Sequence, residues 1–464
     1  MRGVLLVLLV ACSDVPLPPP IGDSDASAPV THPGGPACNF DTAALSLPVM
    51  NGVTSPALPL LEGETKCTQG NGALDWFLAD FDEDGFLDLA VTAACDDASV
   101  GASRWLVYPG SATGFGATAL SYAIPQAAAG CLVLGLADVD ADGALDLVVT
   151  SSCNDASVGT SRWLWYRNVG GTFAVNASVF ALPGGAATGA FDSLERDAAQ
   201  CSSGKPAFAF FDVTGDAFAD LVVTTACDDI NVGVSQWRVY PGSANGLGAA
   251  TTFPLPGGIA FASPFSGALS CSTTPQAPAY ALVDFDGDGK LDIVMTQLCG
   301  DTAIGTSAWN VFGNSGTGFA SSANVVLLPD FAGQASPAFP LASGATSCAT
   351  GTLRWALDDA DGDFKPDLIV TQTCATAPLA AGAWLVFPNT GTRFADSETF
   401  SLPSALGAPT DLTGALSCSG TVPLPAFAAE HYFGDELDLI ETQNCTDTTV
   451  GASRWIVHRP LCPN

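Results

Sequence analysis

Residues 80–108 read DFDEDGFLDLAVTAACDDASVGASRWLVY, and residues 138–166 read DVDADGALDLVVTSSCNDASVGTSRWLWY. In each stretch an aspartate (Asp88, Asp146) is followed seven residues later by a cysteine (Cys95, Cys153) and ten residues after that by a tryptophan (Trp105, Trp163). The spacing returns at Asp220, Cys227 and Trp237, at Asp292, Cys299 and Trp309, at Asp367, Cys374 and Trp384, and at Asp438, Cys445 and Trp455. Rigid spacing around variable filling marks one supersecondary unit copied six times, so the fold is a repeat array.

Each unit holds four short segments of strand character and almost nothing of helical period. In the second unit they are Ala119–Ile124, Leu132–Ala137, Leu145–Ser151 and Trp163–Arg167. The second and third are nearly continuous apolar runs, as strands covered on both faces should be. Six four-stranded units predict an all-β, six-bladed β-propeller over residues 38–464, a closed ring without a long exposed sheet edge. A hydrophobic content of 48% supplies the core for one repeat domain of that size.

Between the second and third strands lies a nine-residue turn. Asp80, Asp82, Asp84 and Asp88 stand at its positions 1, 3, 5 and 9, with Gly85 at position 6 where the backbone reverses. Carboxylates at that spacing build an oxygen cage for calcium, a hard cation. Asp138, Asp140, Asp142 and Asp146 repeat the pattern around Gly143, as do Asp284, Asp286, Asp288 and Asp292 around Gly289. The fifth copy keeps Asp359, Asp361, Asp363 and Asp367 but has Phe364 at the turn, which argues against the turn. The third copy, Asp212, Thr214, Asp216 and Asp220 with Ala217, has fewer charges and predicts weaker binding. In the sixth, Glu430, Tyr432 and Gly434 replace the first three ligands and only Asp438 remains. A structural calcium ion is thus expected in the first, second and fourth turns; a plain Asp/Gly turn without metal is the alternative.

Through these loops and phrases such as Gly114-Phe115-Gly116-Ala117, residues 38–462 resemble the FG-GAP/VCBS repeats of integrin α-subunits and bacterial surface proteins. The resemblance implies that the metal turn joins the innermost strand of a blade to the next one, and that each unit's first strand completes the preceding blade. The strand Ala44–Leu47 would then complete the last blade beside Trp455–Val457 and close the ring. Integrin propellers have seven blades; six is the count here, with seven as the alternative. The resemblance also puts ligand recognition on the rim opposite the calcium turns.

Fifteen cysteines are present. Cys12 ends an apolar run, Val4–Val10, behind Arg2, and this start resembles a bacterial lipoprotein signal over residues 1–12 with a lipidated Cys12. A secretory segment with an incidental cysteine is the plainer alternative. Ser13 after the cysteine implies, by the same resemblance, an outer-membrane lipoprotein of a Gram-negative bacterium, on its periplasmic or surface side. Residues 13–37, rich in Pro, Ser, Gly and Asp, read as a tether. Twelve of the other cysteines fall one before and one after each aspartate cluster, which predicts the bridges Cys67–Cys95, Cys131–Cys153, Cys201–Cys227, Cys271–Cys299, Cys348–Cys374 and Cys418–Cys445. Cys38 and Cys462 remain at the two ends; in the blade phase that the resemblance implies they become neighbours, a staple for the ring.

The formal charge of -33 excludes nucleic acid and anionic headgroups as natural partners and leaves cations as the counterpart; the membrane is reached through the lipid alone. The six aligned tryptophans read as packing between blades, with sugar stacking as the alternative. Asp97, Asp155, Asp229, Asp301 and Asp447, each two residues after a cysteine, read as turn caps. With only His32, His431 and His458, no nucleophile, base and orienting acid can be assembled from spacing. The expected function is a monomeric, non-catalytic module for adhesion or protein and glycan binding, on the rim that carries the variable segments from Pro48, Pro183, Pro256, Pro329 and Pro403 to the next cysteine. A lectin, or a polysaccharide hydrolase or lyase, is the alternative.

Overall fold

The computed structural model describes residues 39–461 apart from 83, 126–130, 185–186, 375–378, 380–381, 420–422 and 433–436. The signal with Cys12, the tether, the Cys38–Cys462 bridge and Gly434 lie outside the described residues. Runs such as Leu89-Ala90-Val91 and Leu147-Val148-Val149 offer no polar face to water, so they become central strands, buried along their length. Six antiparallel sheets result. Blade one runs, in hydrogen-bonded order, Gly63–Lys66, Ala73–Ala79, Asp88–Ala93, Arg104–Tyr108 and Leu120–Ala123.

Six hydrophobic clusters hold the blades together, and each straddles two consecutive blades. One joins Ile440, Trp455 and Val457 of blade six to Leu74, Trp76 and Leu89 of blade one, so the array is a closed ring of six. The covalent gap is closed by Asn39–Ser46, which pairs antiparallel with Arg454–Leu461 in the register Asn39↔Leu461 to Ser46↔Arg454. The N-terminal strand therefore completes the last blade, as the repeat phase requires.

One expectation needs correction. The unit's second strand was to be the last strand on its side of the sheet. In five blades a further strand of two to four residues, such as Gly63–Lys66, Glu195–Arg196 or Gly344–Ser347, pairs onto it. These strands come from the five long segments that end at a cysteine; blade two, whose connection is short, has four strands among the described residues. The free backbone groups of an edge strand recruit whatever extended chain lies beside them.

All six repeat tryptophans are at most 1% exposed, so they pack and do not stack on ligands. Five of them donate their indole N–H to backbone carbonyls of the segments that cross to the next blade: Trp163 to Phe191 (2.7 Å), Trp237 to Phe261 (2.8 Å), Trp309 to Phe339 (2.9 Å), Trp384 to Pro409 (3.0 Å) and Trp455 to Leu58 (2.9 Å). In four of these a threonine of the same blade takes the next carbonyl, Thr150 with Asp192, Thr224 with Ala262, Thr296 with Pro340 and Thr371 with Thr410. The repeat glycine beside them is obligatory: at Gly159 φ is 80°, and a Cβ would sit 2.5 Å from the Thr150 carbonyl oxygen. At the same rim six disulfides close loops spanning 22 to 28 residues, in the six within-unit pairs. Each adds about 3 kcal/mol by restricting the unfolded chain.

Candidate metal sites and the opposite rim

Strand direction puts the aspartate turns on the rim away from the disulfides. Each turn is organised by its own backbone. The position-6 N–H donates to the position-1 carboxylate: Gly85 to Asp80 (3.0 Å), Gly143 to Asp138 (2.9 Å), Ala217 to Asp212 (2.7 Å), Gly289 to Asp284 (2.8 Å) and Phe364 to Asp359 (2.7 Å). Position 5 accepts from the N–H two residues on, as Asp84 does from Phe86 (2.9 Å). Position 9 ties the turn to the hairpin after the tryptophan strand. Asp88 accepts from Phe81 and Gly110, Asp146 from Val139 and Asn168, and Asp292 from Phe285 and Asn314.

Four turns bring the oxygens of positions 1, 3 and 9 within 4.8 Å of one another: Asp80, Asp82 and Asp88; Asp138, Asp140 and Asp146; Asp284, Asp286 and Asp292; Asp359, Asp361 and Asp367. Burial, opposed by the backbone donors and aided by neighbouring carboxylates, lifts Asp88 and Asp146 to about 7 and Asp292 to about 8. Asp284 and Asp359 rise to about 6 for the same first reason, and Asp367 goes well above its ordinary value. Three packed carboxylates in each cluster, together with the buried Oδ1 of Asp140 that has no hydrogen-bond partner, suit a hard cation with oxygen ligands. The donor set therefore fits calcium, held by positions 1, 3 and 9 with position 5 alongside.

The fifth turn forms after all. Phe364 adopts φ 63° and Ala217 φ 74°, the left-handed backbone that glycine takes elsewhere, because the position-6 N–H is captured by Asp359 or Asp212. The third turn makes no such cluster: Thr214 holds position 3, its N–H donating to Asp220 and its hydroxyl to Asp212, while burial raises Asp220 to about 6. Asp216 accepts from Phe218. In the sixth turn Tyr432, at position 3, is fully buried and packs on Phe86 and Phe115 of blade one, an aromatic plug where the complete turns have a carboxylate. His431 bonds Asp358 of blade five (3.0 Å); burial works against its charge, but that hydrogen bond and the surrounding carboxylates raise it to about 9.

Asp97, Asp155 and Asp447 are turn caps, bound by Ser99, Ser157 and Thr449 and by Arg104, Arg162 and Arg454, which together hold them down at about 2. Asp229 and Asp301 cap the N–H groups of Asn231 and Ala303.

Two arrangements went unseen in the sequence. Asn168, Asn314 and Asn389 donate side-chain N–H groups to Phe81, Val213 and Phe285 in the preceding blade's turn (2.7, 3.0 and 2.7 Å), which wires each turn to its neighbour. In blade six, Thr42 of the closing strand meets His458 (Oγ1 to Nδ1 3.2 Å), and His458 Nε2 lies 3.6 Å from Glu441 Oε2, with both acid and base at most 3% exposed. The signal for it lay in the repeat: at the position of Glu441 the other units have Val or Met, and at that of His458 they have Tyr or Phe.

Residues 80–149, from the first turn to the central strand after the second, match the family model described as FG-GAP-like repeat. The chain is a six-bladed β-propeller that carries an FG-GAP-like repeat in its first two blades. No curated protein sequence matches it. Among solved structures it is similar to the Photorhabdus luminescens Tc holotoxin pore, at 16% identity and TM-score 0.47, covering 90% of this chain and 14% of that one. It is also similar to the rhamnogalacturonan lyase YesW, at 10% identity and TM-score 0.32, over 91% of this chain and 76% of the lyase. BBS1N, in a complex with ARL6DN, aligns over 90% of this propeller and 97% of its own chain, at 11% identity and TM-score 0.27. These likenesses say nothing of ligand or chemistry.

Proposed function

We propose that this FG-GAP-like propeller is a calcium-stabilised, non-catalytic binding or adhesion module of a Gram-negative cell envelope, anchored at the outer membrane through a lipid on Cys12. The observation that carries the reading is the construction of the rim opposite the aspartate turns. Its long segments are clamped by buried tryptophans and threonines of the preceding blade, yet they expose leucines: Leu60 and Leu341 are 54% and 51% exposed, Leu269 and Leu416 38% each. Apolar side chains on a fixed platform are what a protein or glycan partner can bury at little ordering cost. The aspartate turns repeat too closely to give individual recognition.

The mature chain is to be screened against glycans and envelope or surface proteins. Leu60→Ser combined with Leu341→Ser should abolish binding without lowering the melting temperature. Binding that survives this variant but disappears on Asp84→Asn in folded protein would place recognition on the other face. Turnover of a polysaccharide by the wild type would favour the hydrolase or lyase alternative.

A further inference from the structure

Arg167 stands four residues after Trp163, where blades one, three and five have Pro109, Pro241 and Pro388, blade four has Gly313 and blade six has Arg459. Of the two guanidiniums at this spot, only Arg167 belongs to a blade whose turn keeps all four aspartates, in a chain with 14 basic residues against 47 acidic ones. Its Nε lies 2.7 Å from Asp140 Oδ2 and an Nη lies 2.7 Å from Asp142 Oδ2, so the fork spans positions 3 and 5 of the second turn. The carboxylates in turn raise its own affinity for the proton. Asp140 belongs to the Asp138, Asp140, Asp146 cluster, and its other oxygen is buried without a hydrogen-bond partner.

The lysines of the fourth and fifth turns behave differently. Lys290 and Lys365 pair with Asp288 and Asp363 at position 5, at 2.6 and 2.8 Å, outside the clusters of positions 1, 3 and 9. Arg167 alone among the described basic residues forms an ion pair with a cluster aspartate at position 3.

We propose that Arg167 is an internal counter-cation for the second turn, and that a divalent ion enters there by displacing the guanidinium from Asp140. The proposal rests on the calcium reading above. Arg167 is half exposed, so its release into water is easy and the plug is reversible. Its grip is that of a partly exposed bidentate pair, which weakens the competing ion about fivefold. The second turn, complete as a motif, then becomes the weakest of the four clustered sites.

The test is a calcium titration of the full chain, with calorimetric and terbium(III) luminescence readouts, on wild type and Arg167→Gln. A second variant is Arg167→Pro, the residue of three other blades. One site should tighten about fivefold in either variant. In EDTA the variants should melt below wild type, because the turn has lost its only counterion; saturating calcium should close that gap. If wild type binds calcium and the variants show unchanged affinities, or a melting deficit that calcium does not narrow, Arg167 is an ordinary surface ion pair and the proposal fails alone. If neither wild type nor variants bind any calcium, the calcium reading fails together with it.

Discussion

Calcium should stabilise this propeller far more at pH 8 than at pH 5. In chelated protein Asp88 and Asp146 titrate at about 7 and Asp292 at about 8, against about 4 for an unfolded carboxyl, chiefly because each is buried. Their folded values are raised, so between pH 4 and pH 7 the native state holds protons that the unfolded chain has released. Stability of the metal-free protein therefore falls as pH rises through that window. From pH 5 to pH 8 each group loses about 3 kcal/mol of this contribution. Three groups, against an unfolding entropy of about 2 cal/mol/K per residue, move the midpoint on the order of 10 °C. Calcium, bound to the deprotonated cages, should cancel the loss. Thermal melts at pH 5 and pH 8, with EDTA and with calcium, read the effect directly. A calcium-induced rise that is equal at the two values, or larger at pH 5, would refute the buried-carboxylate argument.

Phe364→Gly should stabilise the protein by about 1 kcal/mol in urea titrations, since Phe364 is 47% exposed and holds a left-handed backbone at φ 63°. Restoring the repeat at the seam with Glu441→Val, His458→Tyr and Thr42→Ala together should stabilise by about 1–4 kcal/mol, whereas Glu441→Val alone, which strands the buried imidazole, should destabilise. Non-reducing peptide mapping should find Cys38 bonded to Cys462, the two cysteines that flank in sequence the paired residues Asn39 and Leu461. Recovery of either cysteine as a free thiol in oxidised protein would contradict this.

The ring and the turns were legible because their signal repeats. Asp88, Cys95 and Trp105 recur at fixed spacing, and each has chemistry that a reader of the sequence can name. What escaped depends on partners remote in sequence. Arg167 meets carboxylates 25 and 27 residues upstream, and Asn168 meets a carbonyl of the previous blade. Strands as short as Ser266–Gly267 leave no pattern, since their pairing uses backbone groups alone. Phe364 argued against a turn that nevertheless forms, because local hydrogen bonds to Asp359 outweigh a strain of about 1 kcal/mol. The Glu441 and His458 pair was visible in principle, as two departures from the repeat in one blade. It needed the sheet register to bring Thr42 beside them.

The most direct test of the account is a crystal structure of the chain grown in calcium, with anomalous data that mark the ion. The account predicts density enclosed by Asp80, Asp82 and Asp88, by Asp284, Asp286 and Asp292, and by Asp359, Asp361 and Asp367, with the second turn the last to fill. Aspartate turns that keep their fold while showing no ion in any of these clusters would contradict it.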